Sequence, residues 1–390
     1  MAIEGRSDAK KGGRIRLGMV GGGEGAFIGA VHRIASRIDD HYELVAGALS
    51  ATPDKARRSG QALGLSADRI YDDYASMAKA EAKRADGIEA VAIVTPNNVH
   101  AGPTYAFLKA GVHVICDKPL TVSLAEAKKM RDAVEKSGLV FALTHNYTGY
   151  PLVRRMREMV RAGELGEIRL VQSEYPQEWL TSATETTGNK QAEWRVDPKR
   201  SGAGGSLGDI GTHAYNLADY VTGLELTELA AELTSFGAGR RLDDNAQIML
   251  RYSNGARGAI WASQVAPGNE NGLMLRVYGT KGGFHWRQDN PNYLFWTPFG
   301  QSTRIVTRGG PDSGEAAARV TRVPPGHPEG YLEGFANIYS EVALAIKAAR
   351  VGKKPLKSAH FPTIDDGVKG LEFVEAAVKS SKANGKWVKP

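Results

Sequence analysis

The chain has 390 residues, with 50 Lys plus Arg against 43 Asp plus Glu for a net charge of +7, and it is 42% hydrophobic and 24% charged. That length supplies about two domains, each able to bury a core, and the balance is that of a globular chain. The basic excess is interspersed with acids and forms no Lys/Arg stripe with interleaved aromatics, which argues against nucleic acid, and no apolar run reaches the ~18 residues of a membrane span.

A single cysteine, Cys116, allows no intrachain disulfide and points to a reducing, cytoplasmic setting. Residues Met1–Gly13 lack a hydrophobic signal core, and Ile3-Glu4-Gly5-Arg6 has the look of a protease-cleavage linker, so 1–13 is expected to be disordered or tag-derived. Ile15–Val20 then reads as a strand. Gly21-Gly22-Gly23-Glu24-Gly25-Ala26 follows it and fits G-x-G-x-x-A, a turn that lets a pyrophosphate reach backbone N–H groups at a helix start. The third motif position is Ala26 or Gly29, and the helix is expected over Val31–Ile38. Phe27 and Ile28 either pack on a cofactor or enter the core.

Tyr42–Leu49 is the second strand, and its tip at Ser50 carries no acid to hold ribose hydroxyls or repel a 2′-phosphate. Arg57 and Arg58 follow, facing either such a phosphate or water. Asp68–Arg84 is a helical connector. Ala90–Val94 is a buried strand, broken by Thr95-Pro96-Asn97-Asn98, and Val99–Ala110 is helical. Val112–Cys116 brings Lys118 to the carboxyl end of a parallel strand, where ligands bind in open sheets. Lys118 is either a solvated cation or a charge aimed into a site. Leu124–Lys136 (helix) and Leu139–Thr144 (strand) complete a doubly wound sheet.

The second half changes period. Leu152–Arg161 is a helix; Glu167–Glu174, Thr227–Phe236, Ala246–Tyr252, Ala256–Gln264, Leu273–Tyr278 and Gly283–Arg287 read as antiparallel strands, with an Asn-Gly hairpin turn at Asn254-Gly255. Asp289–Pro328 reads as an irregular surface excursion, and Tyr331–Arg350 and Thr363–Lys382 as amphipathic helices. The expected class is α/β plus α+β, divided at 14–146 and 147–390.

Asp209 and His213 stand four apart in Gly204–His213. At the start of a helix they would share a face, as an acid–imidazole couple for general acid/base work or as an N-cap with a half-buried histidine. A metal would need further ligands, and no such cluster stands near. Tyr147, Glu174, Tyr175, Gln177, Trp179, Trp194 and Arg195 are the polar and aromatic candidates around a cleft; tryptophan faces with hydrogen-bonding groups suit a sugar ring. Arg195, Lys199 and Arg200 could meet an acidic substituent, although Lys199 and Arg200 read better as loop surface.

The glycine turn, Asp117-Lys118-Pro119, and the Gly-Gly-x-x-x-Asp-x-Gly-x-His of Gly204–His213 together resemble the Gfo/Idh/MocA oxidoreductases (glucose–fructose oxidoreductase, inositol dehydrogenase and relatives) from about Arg14 to Val388. The resemblance implies an N-terminal Rossmann domain binding NAD or NADP (NAD favoured), a C-terminal domain with an open-faced sheet, and a homo-oligomer, dimer or tetramer. It assigns Lys118, Asp209 and His213 to catalysis. Thr95, Pro96, Asn97 and His100 match the loop near the nicotinamide, with Gly21, Gly23, Ala26, Phe27, Ile28, Ser50, Arg57, Asp117 and Lys118 completing the expected cofactor contacts. Tyr147, Gln177, Trp179, Trp194 and Arg195, with Asp209 and His213, are expected at the substrate. The family more often has Glu where this chain has Asp117. The implied activity is hydride transfer between NAD(P) and a secondary alcohol of a sugar, polyol or derivative. An oxidoreductive glycoside hydrolase would use the same residues, and a non-catalytic dinucleotide-binding regulator would not need them.

Overall fold

The computed structural model describes residues 13–354 and 358–390; residues 1–12 of the segment expected to be disordered or tag-derived lie outside the described residues. The first half runs β1 (Ile15–Gly21), α1 (Phe27–Ile38), β2 (Tyr42–Ala48), α2 (Pro53–Ala62), α3 (Tyr74–Glu81), β3 (Ala90–Val94), α4 (Ala101–Lys109), β4 (His113–Cys116), α5 (Leu124–Ser137) and β5 (Phe141–Leu143). The strands pair in parallel in the order β2-β1-β3-β4-β5. β3 is buried at every position, which is why it reads as an unbroken apolar run. The order reverses between β1 and β3, and a crevice opens at such a switch point.

Helix α1 starts at Phe27, ahead of the expected Val31. Gly29 is the reason. A Cβ there would lie 2.3 Å from the Gly22 Cα, so the first helical turn presses onto the glycine turn. Gly29, not Ala26, therefore takes the close-packing position of the motif.

The second half runs α6 (Pro151–Arg161), β6 (Ile168–Pro176), α7 (Lys190–Arg195), α8 (Pro198–Ser201), α9 (Thr212–Thr222), β7 (Leu226–Thr234), β8 (Asn245–Tyr252), β9 (Arg257–Ser263), β10 (Met274–Gly279), β11 (Gly282–Arg287), β12 (Tyr293–Pro298), β13 (Arg304–Thr307), α10 (Gly314–Ala318), α11 (Tyr331–Arg350) and α12 (Ile364–Lys382). Its eight-stranded sheet has the order β13-β12-β11-β10-β6-β9-β8-β7. It is antiparallel but for the β6–β9 pair, which is parallel. Strands β12 and β13 correct the expected irregular excursion. Leu294, Trp296 and Val306 face the core, but two four-to-six-residue strands between turns give little periodic signal.

Period-2 alternation divides this sheet. Val171, Ile260, Leu275 and Trp286 join one core with α6 and α9. The other face carries a cross-strand row from Ile305 through Arg276 and Gln172 to Met249, and Ile305 and Met249 are 57% and 56% exposed. The last two helices return to the first half. Phe335, Ile338 and Val342 of α11 share a core with Ile15, Leu17 and Met19 of β1. Ile364, Val368 and Leu371 of α12 pack with Leu120 and Met130. Each fully buried side chain of this size contributes roughly 1.5–3 kcal/mol, so the two halves are tied by their cores. No helix among the described residues is long and apolar enough to cross a membrane.

Candidate active site

A cleft of about 790 Å³ opens between the halves, at the carboxyl ends of β1, β3, β4 and β5. Lys118 follows β4 and enters it from the first half; Asp209 and His213 enter from the second. Gly204 and Gly205 explain how the latter pair is placed. A Cβ on Gly205 would lie 2.0 Å from the Asp243 carbonyl oxygen. Without it, the Asp243 carboxylate accepts from the Gly205 and Leu207 N–H groups at 2.7 and 2.8 Å and from Ser206 Oγ at 2.8 Å, capping the helix start. Leu207–Gly211 is then one wide turn of π type running into α9. Such turns cluster at functional sites.

The Asp209 carboxylate makes its hydrogen bonds to groups other than His213. The sequence reading expected the acid to hold the imidazole; the structure corrects this. Lys118 Nζ donates to Asp209 Oδ1 at 3.0 Å and to its carbonyl at 2.8 Å. Arg195 Nε and Gln264 Nε2 donate to Oδ2 at 3.0 and 2.9 Å. Burial raises the Asp209 pKa, but Arg195 and Lys118 outweigh it and hold the carboxyl well below the usual range. His213 instead meets His145, Nδ1 to Nδ1, at 3.4 Å. Burial, aided by Lys118 and His145 and opposed by Asp209, pushes His213 well below its ordinary value, so the imidazole is neutral at pH 7. Burial and Lys118 likewise bring His145 down to about 3.

On the first-half wall, Gly21, Ala26, Phe27, Ile28, Ser50, Thr95, Pro96, Asn97 and Asp117 line the cleft as expected. Thr144 Oγ1 donates to Asp117 at 2.8 Å. Burial raises the Asp117 pKa, yet His32, Lys118 and Thr144 bring it to about 2. Three expected cofactor contacts sit elsewhere. Gly23 lies behind the turn, where a Cβ would meet Ser59 Oγ at 2.6 Å. Arg57 points to solvent on α2 and pairs with Asp54 and Asp72, because those acids are its nearest partners on the same surface. His100 is buried, with Nε2 2.9 Å from the Thr95 carbonyl and Nδ1 2.9 Å from the Pro119 carbonyl, so it braces the loop from behind.

Tyr147, Gln177, Trp194 and Arg195 line the second-half wall, and Tyr175 joins them. Tyr147 and Tyr175 hydroxyls are 2.5 Å apart, and Tyr175 and Gln177 Nε2 both donate to Asn271 Oδ1 at 2.8 Å. Trp179 stands behind, donating to Gln177 Oε1 at 3.0 Å. The Arg195 guanidinium lies 4.2 Å from the Trp194 ring centre. Two further readings are corrected. Glu174 faces the outer side of the sheet, paired with Arg276, because β6 alternates. Arg200, read as loop surface, lines the cleft because α8 packs against the turn at Asn97, whose Nδ2 donates to the Ser201 carbonyl at 3.2 Å.

The residues that sequence reasoning missed divide in two. His145 and Asn146 follow β5, at the sheet end where ligands bind, and that position was a usable signal. Gln264, Asn271 and Gln288 reach the site only through sheet register, which leaves no local mark.

The walls fit a dinucleotide. Gly21 and Gly22 have φ of +79° and +71°, and a Cβ on Gly22 would fall 2.8 Å from the Gly29 Cα, so only glycine leaves this cradle open. Thr95 Oγ1 and Asn146 Nδ2 are buried in the lining without a hydrogen-bond partner, as atoms that await a ligand are. Among the described residues no group of three or more His, Cys, Asp or Glu is placed to hold a metal.

Comparison with known proteins points the same way. Residues 15–145 match the oxidoreductase family, NAD-binding Rossmann fold, and residues 153–285 match the GFO/IDH/MocA C-terminal domain. An oxidoreductase structure from Sinorhizobium meliloti is 59% identical, with TM-score 0.88 over 96% of this chain and 99% of that one. The NAD+ complex of an inositol dehydrogenase homolog from Azotobacter vinelandii is 35% identical, with TM-score 0.92 over 97% and 98%; the same homolog is also solved with NADH and myo-inositol. The uncharacterized oxidoreductase YfiI of Bacillus subtilis (strain 168) is 35% identical over 96% of both chains. With both halves matched in order and one relative aligned end to end, this chain belongs to the Gfo/Idh/MocA family of NAD-binding oxidoreductases.

Proposed function

We propose that the protein transfers a hydride between a secondary alcohol of a sugar or polyol and a nicotinamide dinucleotide, with 14–146 holding the dinucleotide and 147–390 the substrate. One observation carries this reading: the Lys118 ammonium from one half and the His213 imidazole from the other line a single cleft beside a glycine turn. A bound nicotinamide supplies the hydride acceptor. His213, neutral at pH 7, takes the hydroxyl proton. Lys118 donates to the same oxygen and stabilises its developing negative charge. Asp209 holds Lys118 and Arg195 in place rather than charging the base. Tyr147, Gln177 and Trp194 offer a sugar the mixture of aromatic face and hydrogen-bonding groups that it needs.

We propose NAD(H) as the working cofactor, supported by the NAD+ complex of the A. vinelandii homolog. The Ser50 tip has no acid, and Lys55 lines the cleft beside it, so charge alone does not bar NADP. The lone buried cysteine supports a cytoplasmic location, and the half-exposed Ile305 and Met249 on the outer sheet face support a homo-oligomer.

The test is turnover of a panel of polyols and sugars, beginning with myo-inositol, followed as accumulation of reduced nicotinamide. Lys118→Ala and His213→Ala should each cost about 10²–10⁴-fold in kcat, with dinucleotide binding by fluorescence retained. Full turnover in Lys118→Ala would refute the assignment. Release of an aglycone without net reduced nicotinamide would instead mark a redox-assisted glycosidase.

A further inference from the structure

We propose that His145 is the positioning residue of His213, fixing which ring nitrogen the base presents to the cleft. This rests on the reading of His213 as proton acceptor. An imidazole that serves as a base needs a partner for its second nitrogen, since that partner decides the tautomer. The sequence offers Asp209, but its carboxylate is taken up by Lys118, Arg195 and Gln264.

The place behind His213 belongs to His145, from the other half of the molecule. Their Nδ1 atoms are 3.4 Å apart, with rings edge to face at 5.3 Å and 85°. The backbone of His145 is pinned on both sides: its N–H donates to the Leu143 carbonyl at 2.9 Å, and its carbonyl accepts from Thr148 Oγ1 at 2.9 Å. Tyr147 closes another side of His213, ring centre to ring centre at 4.9 Å. His145 is 2% exposed and is not part of the cleft wall, so it acts through His213 rather than on a substrate.

Only one proton fits between two Nδ1 atoms. When His213 Nδ1–H donates to His145 Nδ1, the lone pair of His213 lies on Nε2, the nitrogen left for the cleft. In oxidation the hydroxyl proton moves to that Nε2. The O–H electron pair becomes the new C=O bond while the C–H pair departs as hydride to the nicotinamide. The imidazolium keeps its Nδ1–H bond to His145 and then returns the Nε2 proton to water. His145 stays neutral throughout. A neutral orienter leaves the imidazolium a stronger acid than a carboxylate would, so the proton is also readily given back when a ketone is reduced.

The test is long-range proton–nitrogen NMR of the full chain, ¹⁵N-labelled at histidine, at pH 7. The expected spectrum shows His213 protonated at Nδ1 and bare at Nε2, with His145 Nδ1 bare. The proton on His145 Nδ1 instead, both Nδ1 atoms bare, or both protonated, overturns the proposal. His145→Phe keeps a ring and removes the nitrogen, so His213 should lose its single tautomer; an unchanged His213 pattern also overturns it. Should that variant not fold, the wild-type spectrum decides alone. Full turnover in His213→Ala would remove the base reading itself, leaving the spectrum to report on the contact separately.

Discussion

At the scale of the residue, one carboxylate governs the site. Asp209 balances two cations, and its own charge keeps Lys118 and Arg195 from repelling each other in a half-buried cleft. His213 gains no hydrogen bond from it, so the ionisation of the base is lowered by burial and by the cation Lys118 against the opposing charge of Asp209. The sign of the pH dependence follows. Oxidation needs neutral imidazole, and a lowered pKa keeps it neutral further into acid. The acidic limb of kcat/KM should therefore fall below pH 6.5, and a pH–rate profile checks it. Stability shifts the opposite way. His145 is depressed to about 3 when folded. The unfolded chain thus binds a proton that the folded one refuses, and stability is lost as pH falls from about 6.5 toward 3, by up to about 1.4 kcal/mol per pH unit. Gly29 makes a second residue-scale prediction. Gly29→Ala puts a Cβ 2.3 Å from the Gly22 Cα. It should cost about 1–3 kcal/mol in a thermal melt through overpacking, and it should weaken dinucleotide binding in a fluorescence titration by shifting the turn.

At the scale of the element, α11 is the strut. It leaves the second half and lies along α1, where Tyr339 OH is 2.8 Å from His32 Nδ1, and His32 in turn stands 3.7 Å from Asp117. A helix late in the chain thus buttresses the loop that presents Lys118. Its anchor is Glu341, almost fully buried, which accepts from Arg154 Nη1 of α6 at 2.7 Å and pairs with Arg319 just past α10. Removing one charge from a buried pair strands the others. Glu341→Gln should lower stability by about 3–5 kcal/mol, read by denaturant titration, with no change in the residues that touch the cleft. The helical period of Tyr331–Arg350 was plain in the sequence. Its target was not, because an apolar stripe tells a helix to bury a face and says nothing about which core receives it.

At the scale of the whole molecule, the eight-stranded sheet has one face committed to a core and one open. Its half-exposed Met249 and Ile305 sit in a single cross-strand row with Arg276 and Gln172. If a second copy covers that row, Met249→Arg should shift the mass measured by light scattering down toward 41.9 kDa, while a charge added on the exposed tip at Phe299 should not. The parallel strands, the glycine turn, the Asp117-Lys118-Pro119 strand end and the Gly204–His213 motif were all legible in the sequence, because each is fixed by local chemistry: buried strands must be apolar, and close backbone approach demands glycine. The partners were not legible. That Asp209 serves Lys118 and Arg195, that His145 faces His213, that Gln264 bonds Asp209 and that Asn271 reaches the cleft depend on how a sheet registers and where a turn widens. Those choices are made by packing between residues far apart in the chain, so only the tertiary structure decided them.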